Sequence, residues 1–210
     1  MIGGAMLRLT ETIKAYQAND PAARNGLSIL LLYNGLHATI SYRIANWFYR
    51  HGMIFLARWI SQHAKRRTGI EIHPAAKIGR RLVIDHGTGI VIGETAQIGD
   101  DCLLYQGVTL GGTGKDRGKR HPTLGNNVMV GSGAKVLGPI RVGDNAKIAA
   151  NSVVLRDVPD NCTVVGIPGH IVKVNGEKLD QIHTPDPIQL QINELYEKIQ
   201  ALEQQQLKEK

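Results

Sequence analysis

The sequence predicts an α+β protein. It has an N-terminal helical domain over residues 1–68, a parallel β-helix over 69–174, and a linker with a C-terminal amphipathic helix over 175–210. Three observations predict this fold class. Apolar residues up to position 68 have helical spacing, an aliphatic residue then recurs at every sixth position, and the apolar residues of the tail follow a 4-3-4-3 spacing.

Helical spacing begins near residue 7. It predicts a first helix before Pro21, where the chain offers a turn or a new helix start, and a longer helix over roughly 35–50. A further helix runs from Met53 to about Arg66. The apolar residues that define the first two helix faces are Leu9, Ile13, Tyr16, Leu36, Ile40, Ile44 and Trp47.

The central region repeats with a period of six. This period fits neither the 3.6 residues of a helical turn nor the alternation of a hairpin sheet. It is typical of a parallel β-helix, in which each hexad is one short strand and one turn. Thirteen hexad starts fall in three blocks of constant phase, which disfavours a sheet protein with accidental spacing. The starts are Ile72, Ile78, Ile84, Ile92, Ile98, Leu104, Leu110, Leu124, Val130, Val136, Val142, Ile148 and Val154.

Two places break the repeat. After Ile84 the next start comes two residues late, and the surplus includes His86. From Leu110 to the next start at Leu124 the spacing is fourteen residues, which is two hexads plus two. The segment over 111–123 loses the apolar pattern, which predicts a loop extruded from the coil. Because function concentrates in bulges and loops on rigid scaffolds, we interpret the two breaks as the active site. The loop carries Lys115, Arg117, Lys119 and Arg120.

Composition argues against several classes of protein. The formal charge of +7 suggests anionic partners, but the basic clusters lack interleaved aromatic residues, so an acidic small molecule or nucleotide cofactor is favoured over nucleic acid. Cys102 and Cys162 are too few and too far apart for a disulfide framework or a zinc motif. No secretory signal and no apolar run of about 18 residues are visible, so we expect a cytoplasmic enzyme with no membrane partner.

Five stretches around the breaks resemble the serine O-acetyltransferase family of hexapeptide-repeat acyltransferases. They read EIHPAA from Glu71, IDHGTG from Ile84, IGETA from Ile92, VTLGGTGK from Val108 and RHP from Arg120. The resemblance runs from about residue 19 to 174. It implies a left-handed parallel β-helix of three hexads per coil. It also implies acetyl transfer from acetyl-CoA to the hydroxyl of L-serine, the first committed step toward cysteine.

His86 is the predicted general base. A serine hydroxyl is a poor nucleophile until a base removes its proton, and histidine is the natural base near neutral pH. A carboxylate beside the imidazole would fix its tautomer and stabilise the imidazolium. The resemblance implies that Glu71 has this role, at a position where the family often has aspartate. Asp85 is the competing partner.

Four residues are predicted to hold serine, and the resemblance implies all four. Arg120 can bind the carboxylate with its planar guanidinium, and Asp20 and Asp85 can bind the ammonium group. His121 belongs to the same set and is a candidate for contact with the developing oxyanion. Asp20 has an alternative interpretation as a helix cap, because it precedes Pro21.

Acetyl-CoA is the predicted cosubstrate, and no metal is expected. The amide chain of CoA can pair with exposed backbone groups along a coil edge, in the manner of strand addition, where small residues permit close approach. By analogy with the family, the candidate cofactor-binding residues are Gly112, Ser132, Gly133 and Ala150, with Lys147 near the phosphates.

The resemblance further implies a homotrimer or a dimer of trimers, in which the loop over 111–123 closes on a neighbour's His86. Cysteine differs from serine by one atom and is a candidate feedback inhibitor. The family also binds O-acetylserine sulfhydrylase through a tail that ends in isoleucine. This chain departs from that pattern, since it ends Glu209-Lys210. The tail helix can join subunits or pack on its own domain.

Three alternative functions remain at this stage. The same fold can acetylate a sugar or another amine or hydroxyl, although Asp20, Asp85 and Arg120 favour a zwitterionic acceptor. A β-helix carbonic anhydrase needs three zinc-binding histidines, and the eight histidines include no pair five residues apart. The third alternative is a non-enzymatic scaffold that docks a partner.

Overall fold

The structure is a computed structural model that describes residues 2–114, 117–178 and 195–200, with side chains from residue 9 onward. The chain divides into two compact units, Met1–Glu177 and Lys178–Lys210. The first unit holds the helices and the β-helix, which confirms the predicted fold class. No helix among the described residues is long and apolar enough to cross a membrane.

The helices before the coils are α1 Ile2–Asn19, α2 Gly26–Leu32, α3 Asn34–Arg50 and α4 Ile54–Thr68. α1 begins before the predicted position, and the helical spacing does not predict α2. The seven residues of α2 are too few to show a periodic face, but Asn25 caps the helix by accepting a hydrogen bond from the N–H of Ser28 at 2.8 Å. α4 ends at Gly69, whose φ of 73° is the left-handed conformation that glycine adopts readily.

Short strands follow, most of them two or three residues long. They are β1 Glu71–Ile72, β2 Lys77–Ile78, β3 Val83–Asp85, β4 Val91–Ile92, β5 Gln97–Ile98, β6 Leu103–Tyr105, β7 Thr109–Gly111, β8 Thr123–Leu124, β9 Met129–Val130, β10 Lys135–Leu137, β11 Arg141–Val142, β12 Lys147–Ile148, β13 Val153–Val154, β14 Cys162–Val165, β15 His170–Val174 and β16 Glu177–Lys178.

The strands form three sheets, which the chain visits in rotation. The first sheet has the order β1-β4-β7-β10-β13, the second β2-β5-β8-β11, and the third begins β3-β6-β9-β12-β14. Strands of successive coils pair in parallel, as in Gln97↔Thr123. This pair joins the coils before and after the polar loop over residues 111–123. The β-helix therefore continues past the second break in the repeat, and the extra residues project from it as a loop.

The hexad starts fill the inside of the coils. Ile92, Leu110 and Val136 have no exposed surface, and fifth-position residues such as Ala96 and Val108 are buried beside them. Full burial of an aliphatic side chain stabilises a fold by about 1.5–3 kcal/mol. The six-residue period is therefore a burial period, and the stability of the coils is approximately a sum over neighbouring hexads.

Side-chain hydrogen bonds join the helices to the coils. The Tyr42 hydroxyl on α3 donates to the carbonyl of Ala76 at 2.6 Å. The Ser61 hydroxyl on α4 donates to the carbonyl of Ile72 at 2.7 Å. Both carbonyls belong to the first coil, so the helices are fixed to the end of the β-helix at which the predicted site begins.

Gly35 allows α3 to approach β3 closely. A Cβ at position 35 would lie 2.2 Å from the carbonyl oxygen of Ile84 and 2.6 Å from the hydroxyl of Tyr16. That hydroxyl accepts from the N–H of Ile84 at 3.2 Å and donates to its carbonyl at 3.3 Å. The contact between α3 and β3 therefore requires glycine at position 35. It is made at Ile84, two residues before His86.

We expect Gly35→Ala to destabilise the protein, because the new methyl group has no space and α3 must move away from β3. Overpacking of this kind costs about 1–3 kcal/mol, and for a chain of this size each kcal/mol lowers Tm by about 2–4 °C. Thermal unfolding measures the change. Gly26→Ala is the control, because a Cβ there meets only a methyl carbon of Ile13 at 3.2 Å. Equal Tm losses in the two variants would contradict the argument.

The second unit is described at Lys178 and over residues 195–200, and the latter residues are helical. Leu195 and Ile199 of the predicted apolar seam are exposed there. The other residues of the seam, Ile188, Ile192 and Leu202, lie outside the described residues, as does the loop residue Lys115.

Candidate active site

Two corners of the β-helix hold most of the predicted site residues. The His86 corner is the passage from the third sheet to the first, over residues 86–90, 106–108, 131–134 and 149–152. The Arg120 corner is the passage from the first sheet to the second, over residues 73–76, 93–96 and 112–122. Within one chain, the first sheet therefore separates His86 from Arg120.

His86 lies directly after β3 with a φ of 57°, in the turn formed by the two surplus residues. The left-handed backbone is uncommon for a residue other than glycine. Its side chain is 74% exposed, whereas that of the preceding Asp85 is 22% exposed, and 3.9 Å separates His86 Nε2 from Asp85 Oδ1. The imidazole is therefore accessible to a substrate, with a carboxylate beside it.

Glu71 lies on the neighbouring coil at the same corner. Its N–H donates to the carbonyl of Ile90 at 2.9 Å, which places the start of β1 alongside the turn that contains His86. Its carboxylate forms an ion pair with Lys65 at the end of α4, with 2.5 Å between Nζ and Oε2. Among the described residues, no hydrogen bond or ion pair joins Glu71 to His86. The structure thus brings this predicted pair to one corner without a direct contact.

Asp20 accepts two hydrogen bonds. Its Oδ1 accepts from the N–H of Ala22 and its Oδ2 from the hydroxyl of Tyr33, both at 2.7 Å. The helix-cap interpretation is wrong, because α2 begins at Gly26 and is capped by Asn25. The hydrogen bond to Asp20 is the main cause that raises the pKa of Tyr33 to about 12, and the charge of Asp85 also contributes. Asp20 and Asp85 therefore act electrostatically on one tyrosine.

Thr95 organises the Arg120 corner. Its hydroxyl accepts from the N–H of Arg120 at 3.0 Å and from the N–H of His121 at 3.1 Å, and it lies 2.8 Å from Nδ1 of His121. The carbonyl of Thr95 accepts from Nζ of Lys119 at 2.8 Å. The end of the extruded loop is therefore held by one residue of the preceding coil.

The ring of His121 has one defined tautomer. Its Nδ1 accepts from the N–H of Thr95 at 3.2 Å, so the proton of the neutral ring is on Nε2. Burial, followed by the charge of Arg120, lowers the pKa of His121 below its usual value and keeps the ring neutral near pH 7. The ring lies on Gly93, where a Cβ would be 1.9 Å from Cδ2. His121 is thus a neutral N–H donor in a fixed position.

Glu94 pairs with Arg120. The Nη2 of Arg120 donates to Oε2 of Glu94, and this hydrogen bond is the main cause that lowers the pKa of the carboxyl group. The sequence pattern predicted no role for Gly93, Glu94 or Thr95, although they lie in the IGETA stretch. The adjacent carboxylate of Glu94 and hydroxyl of Thr95, directly after Gly93, were the available signal for a polar site. Their partners could not be predicted, because these contacts reach loop residues about two dozen positions later in the chain.

The predicted cofactor residues divide between the corners. Ser132, Gly133 and Ala150 lie at the His86 corner on the coils that follow His86, and Gly112 lies at the Arg120 corner. Lys147 projects from β12 into a surface pocket of about 560 Å³ that Lys173 also lines. Ser132, Gly133 and Ala150 thus lie on two successive coils of the same corner.

Among the described residues, no cluster of three or more His, Cys, Asp or Glu side chains could hold a metal ion. What the corners offer instead is an exposed imidazole, carboxylates, a guanidinium and a neutral N–H donor on a coil of hexads. This combination of repeat and polar groups is typical of hexapeptide-repeat transferases, which perform acid–base and hydrogen-bonding chemistry.

Comparison with known proteins narrows this class. Residues 121–156 match the family model described as bacterial transferase hexapeptide (six repeats). The serine acetyltransferase of Synechococcus elongatus is 55% identical over 189 residues, which cover 89% of this chain and 78% of the relative. The crystal structure of Neisseria gonorrhoeae serine acetyltransferase has a TM-score of 0.80 at 41% identity, covering 87% of this chain and 70% of that chain.

Two further structures contain ligands. The Neisseria gonorrhoeae enzyme in complex with serine has a TM-score of 0.77 at 42% identity, covering 80% of this chain and 69% of that one. A serine acetyltransferase in complex with cysteine has a TM-score of 0.78 at 46% identity, covering 79% and 69%. The chain belongs to the serine acetyltransferase family. The resemblance inferred from the motifs is thereby confirmed, and a sugar or amine acetyltransferase is not favoured.

Proposed function

We propose that this chain transfers the acetyl group of acetyl-CoA to the hydroxyl of L-serine, giving O-acetylserine and CoA, with His86 as the general base and with the site assembled between neighbouring chains. The observation that carries the proposal is the distribution of the site residues. The base and the adjacent Asp85 are at the His86 corner, to which Asp20 is linked through Tyr33 and Tyr16. The predicted carboxylate ligand and the neutral His121 are at the Arg120 corner.

The exposed imidazole of His86 supports its role as base. It removes the proton of the serine hydroxyl as the oxygen attacks the thioester carbonyl, and the imidazolium then protonates the departing CoA thiolate. Asp85 lies close enough to stabilise the imidazolium through its charge. Glu71 lies on the neighbouring coil at the same corner, where its carboxylate is paired with Lys65. Either carboxylate serves the orienting role.

Serine is held at both ends. Asp20 and Asp85 supply negative charge for the ammonium group, and Arg120 supplies the guanidinium for the carboxylate. Arg120 donates through Nη2 to Glu94 and through Nη1 to the carbonyl of Gly118 at 3.5 Å. These two contacts leave three of its five N–H donors for the carboxylate of serine. A zwitterionic acceptor therefore fits the two corners better than a neutral sugar does.

His121 supports the tetrahedral intermediate. Its Nε2–H is a donor that exists before the reaction and needs no reorganisation when negative charge develops on the thioester oxygen. Burial of a charged imidazolium would cost desolvation free energy. Because the pKa of His121 is lowered, the ring stays neutral and this cost does not arise. The acetyl donor then extends along Ser132, Gly133 and Ala150, with its phosphates near Lys147.

A threefold assembly brings the two corners together. The first sheet exposes apolar residues such as Val91, which is 37% exposed, and Leu155 beyond β13, which is 51% exposed. If this sheet faces the threefold axis, the His86 corner of each chain meets the Arg120 corner of the next, and every interface forms one site. A homotrimer, or a dimer of trimers, is therefore the expected active species.

Co-expression of two inactive variants tests this assembly. We expect His86→Ala and Arg120→Ala to be inactive alone, and a mixture in equal amounts to regain about a quarter of wild-type turnover, because random assembly leaves about a quarter of the interfaces intact. Turnover with L-serine is measured by loss of the acetyl-CoA thioester.

The control mixes wild type with the double variant, which carries both substitutions on one chain. An interchain site again gives about a quarter of wild-type turnover, whereas a site within one chain gives about half. No recovery in the first mixture together with half in the control would overturn the shared site. L-cysteine is expected to reduce turnover competitively with serine, since its thiol can take the place of the hydroxyl.

A further inference from the structure

Tyr33 occupies the junction between α2 and α3, where it is both the C-cap residue of α2 and the N-cap residue of α3. Its φ of −89° and ψ of 105° are extended, and its N–H donates to the carbonyl of Ile29 at 3.2 Å. The side chain points toward the turn after α1, where its hydroxyl donates to Oδ2 of Asp20 at 2.7 Å. A residue at a fixed junction thus holds one oxygen of a predicted substrate ligand.

The ring of Tyr33 is itself held in place. It packs edge-on against the ring of Tyr16, with 5.5 Å between the ring centroids and 82° between the planes. The hydroxyl of Tyr16 is bound to both backbone polar groups of Ile84, directly before Asp85 and His86. Asp20 is therefore linked to the His86 corner through two tyrosines packed edge to face rather than through a flexible loop.

The carboxylate of Asp20 has two different hydrogen-bond partners. The Ala22 N–H binds Oδ1 and fixes the turn at Pro21, whereas the Tyr33 hydroxyl binds Oδ2 and comes from another element. Loss of the first bond would alter the turn. Loss of the second would leave the turn intact and free the carboxylate to rotate about its last torsion. The hydroxyl keeps its proton at the pH of any assay, since the pKa of Tyr33 is raised to about 12.

We propose that Tyr33 is a positioning residue for the acceptor: its hydroxyl orients the Asp20 carboxylate so that Asp20 and Asp85 together receive the ammonium group of serine. This inference rests on the proposed function, in which Asp20 binds serine. Tyr33 touches neither the reacting hydroxyl nor the thioester. Its removal is therefore expected to affect acceptor binding and not the chemical step.

The test is Tyr33→Phe, which removes one oxygen and keeps the ring packed on Tyr16. A hydrogen bond to a charged group is lost, so KM for L-serine is expected to rise about tenfold. The values of kcat and of KM for acetyl-CoA are expected to stay within about twofold, because the base and donor sites are unchanged. A fall in kcat with an unchanged KM for serine would overturn the proposal.

Tyr42→Phe is the matched control. It removes the same atom from another tyrosine at the boundary of helix and coil, where the hydroxyl donates to the Ala76 carbonyl. We expect Tyr42→Phe to lower Tm and to leave KM for serine unchanged. If both variants raise KM for serine equally, the effect of Tyr33→Phe is a general loosening of the helices, and the positioning role is excluded.

A double-mutant cycle with Asp20→Asn separates this proposal from the function on which it rests. We expect Asp20→Asn to raise KM for serine, and Tyr33→Phe in that background to add less than about a twofold change. An unchanged KM in Asp20→Asn would remove Asp20 from the serine site, and with it the basis of this inference. A tenfold effect of Tyr33→Phe that persists in the Asp20→Asn background would show that Tyr33 acts by another route.

Discussion

His86→Ala is expected to lower kcat for serine acetylation by about two to four orders of magnitude, because loss of a general base removes a contribution of about that size. The side chain is 74% exposed, so the variant should fold with an unchanged Tm. KM for acetyl-CoA is expected to change little. The decisive measurement is the initial rate of thioester loss at saturating serine and acetyl-CoA.

His170→Ala controls for the loss of an exposed histidine elsewhere on the coils, on β15, and should keep wild-type kcat. A wild-type kcat in His86→Ala would leave the family assignment in place and reject His86 as the base. Two isosteric variants, Glu71→Gln and Asp85→Asn, then identify the orienting carboxylate. The variant with the larger loss of kcat marks the residue that stabilises the imidazolium.

Gly93→Ala is expected to lower kcat/KM for serine by about 10²–10³-fold, the effect of removing one donor to an oxyanion. The new methyl group would lie 1.9 Å from Cδ2 of His121 and 2.0 Å from its Nε2, so the ring must leave its place. The glycine does not have a positive φ, and the backbone conformation therefore tolerates alanine. The effect is a displacement of His121 rather than a strained turn.

Gly118→Ala provides the control within the Arg120 corner, because a Cβ there meets nothing within 4 Å. It should retain activity. Combining Gly93→Ala with His121→Ala should cost little more than either variant alone, since both remove the same donor. Full activity in Gly93→Ala, or additive losses in the double variant, would contradict a catalytic role for the position of His121.

The regular part of the fold could be predicted from the sequence, and so could the two irregular places at which the candidate site residues lie. The hexad starts were identified as inward-facing residues because burial leaves a periodic trace, and residues such as Ile92 and Leu110 are fully buried. The two breaks in the repeat located His86 and Arg120. α2 was missed, because a helix of seven residues is too short for a periodic signal and its cap at Asn25 lies in an irregular stretch.

The contacts that orient the site residues could not be predicted. Thr95 reaches the backbone of Arg120 and His121 across the base of an extruded loop, and Tyr33 reaches Asp20 from the far end of α2. These pairs are neighbours only after the loop and helices have packed. The ion pair of Glu71 with Lys65 likewise depends on where α4 ends against the first coil.

The sequence by itself determined that the chain forms a β-helix and which two breaks interrupt it, because each hexad contacts mainly its neighbours and burial repeats with the coil. It also determined the family, through motifs at those breaks. Only the tertiary structure decided that His86 and Arg120 lie at opposite ends of the strands of the first sheet. The reason is that the sheet to which a strand belongs depends on where the chain turns. That separation is the physical reason why one chain alone presents half of the proposed site at each corner.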